Sequence, residues 1–95
     1  MTKYEIYTER KNEYQMCAIL SAQFEAFTIT KTVGYWKGQE EQSIIITIIA
    51  DSTDSTREQV SSVASRIRSV NKQECVLISE TPVAVTSLWR KEGEA

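Results

Sequence analysis

The stretch Phe27–Ala50, FTITKTVGYWKGQEEQSIIITIIA, decides how the chain is to be read. Its first part is rich in β-branched and aromatic residues. Phe27, Ile29, Val33 and Tyr35 fall on one face, and Thr28, Thr30, Thr32 and Trp36 on the other, so it reads as a strand. Lys31 interrupts the apolar face, and Gly34 inside the strand marks a bulge or the close approach of another group. Gly38 and the polar run Gln39–Gln42 predict a turn. Ser43–Ala50, SIIITIIA, is apolar on both faces, as expected of a central strand covered twice.

Working outward, Tyr4–Thr8 alternates and reads as a first strand. Asn12 opens a helix to about Gln23, with Cys17, Leu20 and Phe24 at helical spacing and Ala18, Ile19 and Ala22 widening the stripe. Downstream of the central strand, Ser55 and Glu58 form a capping-box pattern. Val60, Val63, Ala64, Ile67 and Val70 then recur at i, i+3, i+4, i+7 and i+10, which predicts a second helix. Cys75–Ser79 reads as a strand, Thr81-Pro82 punctuates it, and Val83–Trp89 resumes as another. The tail 90–95 is charged and expected to fray. The order is β-α-β-β-α-β-β. It predicts one α+β domain over residues 1–95: a βαββαβ antiparallel sheet with two helices on one face and an extra C-terminal strand.

Composition excludes several classes. The apolar and charged fractions, 41% and 25%, are ordinary for a globular chain, and the net charge of −2 gives no reason to expect nucleic acid as partner. No apolar run is long enough to cross a bilayer. The start MTKYEIYTER has no hydrophobic leader core, and Cys17 and Cys75 read as small hydrophobes in a reducing compartment, so a cytoplasmic location is expected. There is no histidine, no C-x-x-C and no glycine-rich phosphate loop. That removes the usual general base and most transition-metal sites, so no catalytic residue, metal or cofactor is expected. The paired carboxylates Glu40-Glu41 and Asp51/Asp54 read as a solvated turn and a helix start.

The unusual feature is Gly34-Tyr35-Trp36-Lys37-Gly38 at a hairpin tip. Two aromatics can stack on a flat ligand, and a lysine can meet its negative charge. The plainer alternative is packing at a strand end with Lys37 in water. Arg57, Arg66, Arg68 and Lys72 on the second helix read as its solvated side, or as an anion-binding stripe.

From Phe27 through the aliphatic strand, and again at ECVLISETPVAV, the chain resembles an uncharacterised bacterial family with a ferredoxin-like fold. That family carries an FT-V strand, a G-x-W-x-G turn and an acid-containing stretch, matched here by Phe27, Gly34, Trp36, Gly38 and Glu41. More distantly the chain is similar to the CutA cation-tolerance proteins and the PII-like signalling proteins. It lacks the His-Pro-Tyr element of the first and the long loop of the second. The resemblance implies a homo-oligomer, trimer or dimer, with small ligands, often adenine nucleotides, in clefts between subunits.

The expectation that follows is a non-enzymatic oligomeric module that binds a small anionic ligand for sensing or sequestration. Tyr35 and Trp36 would stack, and Lys37 with Arg57 or Arg66 would meet the charge. Only one face of Ser43–Ala50 has helices to cover it. Ile45 and Ile49 with Val83, Val85 and Trp89 are therefore expected at an interface between copies. Two alternatives stand beside this one. The first is a protein–protein inhibitor or adaptor, such as a phage protein acting on a host factor through Trp36 and Trp89. The second is a small ferredoxin-like enzyme of the monooxygenase or isomerase type.

Overall fold

The computed structural model describes residues 1–93. Its elements run β1 (Thr2–Glu9), α1 (Glu13–Ser21), β2 (Thr28–Trp36), β3 (Gln39–Ala50), α2 (Asp54–Asn71) and β4 (Leu77–Pro82). The strands form one sheet of order β2-β3-β1-β4, antiparallel at every pairing. This is an α+β fold of the ferredoxin-like kind, as the element order predicts.

The register explains the isoleucine-rich strand. Ile46 stands between Ile6 and Ile29, Ile48 beside Tyr4, and Ile44 beside Thr8 and Lys31. Side chains two apart share a face, so Tyr4, Ile6, Ile44, Ile46 and Ile48 all point toward the helices, and all are buried. Val60, Val63, Ala64 and Ile67 of α2 and Met16, Ile19 and Leu20 of α1 complete that core. The opposite face carries no helix. Across it runs a row of Thr30, Ile45, Tyr7 and Leu77, with Thr28, Thr47, Glu5 and Ser79 beside it. Threonine and serine line much of this face, and its apolar residues include Tyr7, Ile45, Ile49, 46% exposed, and Leu77, 58% exposed.

Several boundaries differ from expectation, each for a local reason. β3 begins at Gln39, so Gln39–Gln42 is strand and the turn shrinks to Lys37-Gly38. Both residues have positive φ, 49° and 79°, the signature of a two-residue type I′ hairpin, whose twist matches that of the strands. The cap of α2 is Thr53, whose Oγ1 accepts from the Thr56 amide at 3.1 Å; Ser55 lies inside the helix. Asn12 precedes α1 in the left-handed region and makes no side-chain cap; its amide instead reaches Val70 and Asn71. α1 ends at Ser21, and Phe24 and Phe27 pack against the core from the connection to β2.

The extra strand is the main correction. β4 runs through Pro82, the Val83 amide donates to the Met1 carbonyl at 3.0 Å, and residues 83–90 then form no strand. Pro82 sits at the strand's last position, opposite Thr2, where its missing donor costs least. Val85, Leu88 and Trp89 are left exposed. Of the tail expected to fray, 90 and 91 carry no regular structure and 92 and 93 form a turn; 94 and 95 lie outside the described residues. Among the described residues, no helix is long and apolar enough to cross a membrane.

Candidate functional site

β1 and β3 part company at Glu9 opposite Ser43, with one further bond from the Arg10 amide to the Gln42 carbonyl at 2.9 Å. β2 and β3 keep pairing to Trp36 opposite Gln39. Val33–Trp36 and Gln39–Gln42 therefore project past the sheet as a two-stranded arm of about 13 Å. Gly34 sits on the open side of this arm. A Cβ there would meet the Ser43 hydroxyl at 2.7 Å, so glycine permits that close approach.

The arm's tip meets the α2–β4 connection. The Trp36 indole Nε1 donates to Glu74 Oε2 at 3.3 Å, and Lys37 Nζ approaches the same oxygen at 3.0 Å. Lys37 also lies 5.8 Å from the centre of the Trp36 ring. Between the arm, the end of β1 and this connection lies a cleft of about 810 Å³. Tyr7, Ile45 and Leu77 of the open face, together with Trp36, give it apolar surface. Thr32, Ser43 and Gln73 supply polar groups.

The connection is held from below. Lys72 is left-handed with φ 54°, and the Lys72 and Gln73 amides return to the Ser69 and Arg68 carbonyls at 3.2 and 3.1 Å, closing the helix. The buried Asn71 side chain accepts from Asn12 at 3.0 Å and donates to Gln73 at 3.2 Å and Thr8 at 3.4 Å. Thr8 also hydrogen-bonds Gln73. No buried side-chain polar atom among the described residues lacks a partner, so this network is complete.

The charges of the cleft are mixed. Glu9 pairs with Lys11 at 3.4 Å and Glu74 with Lys37 at 3.0 Å. Glu40, Glu41 and Lys72 also line it, and none of the three has an ion-pair partner among the described residues. Burial, then hydrogen bonding and repulsion from Glu9, push the Glu41 carboxyl above the usual carboxylate range. Among the described residues no group of His, Cys, Asp and Glu could hold a metal ion.

Of the residues singled out from sequence, Tyr35, Trp36 and Lys37 do come together here, all of them lining the cleft. Arg57 does not join them. Its guanidinium grips Glu80 of β4 at 2.8 and 3.1 Å. Glu80 stands opposite Tyr4, which in turn stands opposite Ile48, nine residues along β3 from Gln39, or about 30 Å away. Glu80 holds the Arg57 proton more tightly than usual, first by hydrogen bonding and then by charge. Arg66 is exposed on α2 and does not line the cleft. Ile45 and Ile49 lie on the helix-free face; Val83 is half-buried, and Val85 and Trp89 are exposed on the segment after β4. Sequence reading missed Tyr7, Gln73 and Glu74, which become neighbours of the arm only through the sheet order.

Comparison with known proteins places the fold. No family model matches the chain, and no curated protein matches it. Among solved structures it is similar to a phage SAM lyase in its apo state, with TM-score 0.71 and 19% identity over 95% of this chain and 92% of that one. A phage SAM lyase in complex with S-methyl-5′-thioadenosine gives TM-score 0.62 and 17% identity over 95% and 92%. A DUF3240 family protein from Shewanella baltica OS155 gives 0.67 and 9% over 94% and 96%. The PII-like nitrogen regulatory protein CPII from Thiomonas intermedia K12, bound to ADP, AMP and bicarbonate, gives 0.65 and 14% over 93% and 94%. At these identities the likeness is one of fold.

Proposed function

We propose that this protein binds an adenosine-bearing small molecule in the cleft under the β2–β3 arm. The observation that carries the reading is the cleft itself. Its 810 Å³ falls in the size range of small-molecule sites, about 300–1,000 Å³. Its walls combine aromatic surface from Trp36 and Tyr7 with a few polar groups, the composition that such sites share. Support comes from two neighbours of the same fold, which hold ADP and AMP in one case and S-methyl-5′-thioadenosine in the other. An adenine would stack on Trp36, with Tyr35 at the rim. Binding is the whole of the proposed activity: the chain senses or sequesters its ligand.

In this reading a second copy closes the cleft. The helix-free face exposes Ile49 and Leu77, and the segment after β4 presents Val85 and Trp89 to solvent. Both are apolar surfaces that association would cover. Light scattering tests this point: a dimer or trimer is expected, and a strict monomer at tens of micromolar would overturn it.

Calorimetric titration with adenosine, AMP, ADP, S-adenosylmethionine and S-methyl-5′-thioadenosine tests the binding. At least one is expected to bind with Kd of about 1–100 μM, and Trp36→Ala to weaken it about tenfold or more while circular dichroism stays unchanged. A folded protein that gives no heat with any of the five would refute the proposal. A second reading is that the chain cleaves an S-adenosyl compound, as its phage SAM lyase neighbour does. The juxtaposed Glu9 and Glu41 favour it, because a carboxyl with raised proton affinity in a cleft suits acid–base work. Release of S-methyl-5′-thioadenosine from S-adenosylmethionine, lost in Glu41→Gln, would support this reading; no release from either protein would dismiss it.

A further inference from the structure

The donors at the tip of the arm are already occupied. An incoming anionic group would find Lys37 and the Trp36 indole N–H as the natural pair to engage, a charged donor beside a neutral one, both on the cleft wall. Yet a single oxygen, Glu74 Oε2, receives both, at 3.0 and 3.3 Å. A carboxylate oxygen that takes an ammonium and an indole N–H together is making the contacts that a ligand carboxylate or phosphate would make.

Glu74 is also placed there by structure. The connection that carries it leaves α2 through the left-handed Lys72, and the Gln73 amide is fixed to Arg68 at 3.1 Å. The Gln73 side chain is anchored by Thr8 and Asn71 in the buried network below. The residue that follows therefore starts from a fixed backbone, although its own side chain is 68% exposed. The remaining charges favour the same class of ligand. With Lys37 and Lys11 each paired, the cleft keeps Glu40 and Glu41 against the single ammonium of Lys72.

We infer that Glu74 acts as a built-in competitor for anions at the arm, and so directs the cleft toward ligands that are neutral or cationic outside their adenosine. The ligand class rests on the adenosine reading above; the competition at Trp36 and Lys37 does not. To bind a phosphate at the tip, the protein must first give up the Glu74 contact, whereas a neutral or cationic ligand keeps it. A free carboxylate nearby also repels the phosphate and attracts a cation.

The experiment has two arms, both on the full chain with Glu74→Gln as the variant. Gln keeps an acceptor for the indole and removes the charge. In the first arm, inorganic phosphate is titrated at constant ionic strength while the Trp36 indole N–H resonance is followed in ¹⁵N-labelled protein, with Trp89→Phe separating the two indoles. Glu74→Gln is expected to show a saturable shift with affinity at least about threefold above wild type. Equal responses in the two proteins, or none in either, would overturn the competition. In the second arm, adenosine and AMP are compared by calorimetry. The preference for AMP over adenosine is expected to rise about three- to tenfold in Glu74→Gln at low salt, and the gain to shrink at high salt. An equal change for both ligands, or an unchanged ratio, would overturn the specificity role. If neither adenosine nor AMP binds either protein while phosphate still distinguishes the two, the adenosine reading and the ligand class fail and the competition stands.

Discussion

Replacing Asn71 by alanine should cost about 3 kcal/mol, far more than one polar residue on a helix end usually does. Asn71 is completely buried where α2 ends, and its carboxamide joins Asn12, Thr8 and Gln73. Three hydrogen bonds, each worth roughly 0.5–1.5 kcal/mol net, account for most of the loss; the bond to Thr8, at 3.4 Å, counts least. The void left by the carboxamide adds about 0.5–1 kcal/mol. Against a total stability of about 5–14 kcal/mol for a chain of this length, that is a large share. At about 4–8 °C per kcal/mol, the melting midpoint should fall by roughly 12–24 °C. Urea titration by circular dichroism gives the free energy directly, provided the slope m is unchanged. A loss below about 0.5 kcal/mol, the range of an ordinary surface change, would refute the assignment of a structural network. Asn71→Asp offers a control with a sign. Its carboxylate can still accept from Asn12 but cannot donate to Thr8 or Gln73. Burial should raise its folded pKa, so the variant should be most stable below the unfolded pKa and lose stability as pH rises through the folded one. A flat or opposite pH response would contradict that account.

Three further outcomes are expected. Ile46→Val, between Ile6 and Ile29 in the core, should cost about 0.5–1.5 kcal/mol in the same urea titration, and a cost near zero would mean that the three-strand register is wrong. Lys37→Val should lose about 1–2 kcal/mol, because a β-branched residue fits poorly at φ 49°, whereas Lys37→Asn should stay within about 0.5 kcal/mol; a chevron series or thermal melt separates the two. Glu41 carries a raised folded pKa, caused first by burial and then by Glu9, so its contribution is intact below the ordinary carboxylate range and is lost as pH rises through the folded value. Glu41→Gln should therefore gain stability relative to wild type between acidic and neutral pH, and a parallel pair of pH–stability curves would count against this.

The layers of the fold were legible in the sequence because periodicity follows burial. The stripe Val60, Val63, Ala64 and Ile67 is buried as its spacing requires, and Ile44, Ile46 and Ile48 lie inside while Ile45 and Ile49 lie on the other face. Val83–Trp89 reads as a strand for the same reason: it has the composition of one. Strand formation, however, needs backbone pairing along an edge, and among the described residues the pairing of this segment stops at the Val83 bond to Met1, leaving the outer edges of β2 and β4 open. Gln39–Gln42 reads as a turn because polar residues in a projecting arm look like a loop. Both sides of such an arm face water, so nothing forces apolar alternation there. Of the site, the aromatic tip was visible as an oddity of composition. Glu74 was not, since its partnership with Trp36 and Lys37 spans more than thirty residues and depends on where α2 stops. Charge alone draws Arg57 to the tip, and the strand register separates them.

The position of β1 has a consequence for synthesis. Of the four strands of this sheet, the first made is an interior strand, flanked by β3 on one side and β4 on the other, with Thr2 opposite both Ala50 and Pro82. When β1 emerges, neither neighbour exists. At about 5–20 residues per second, β4 follows roughly 4–16 s later, and until then the Tyr4 and Ile6 face has an incomplete sheet around it. The β2–β3 hairpin can close on its own within microseconds. The nascent chain therefore holds a closed β2–β3 arm and a waiting β1, and β4, made after the other three, fastens the sheet at β1's free side.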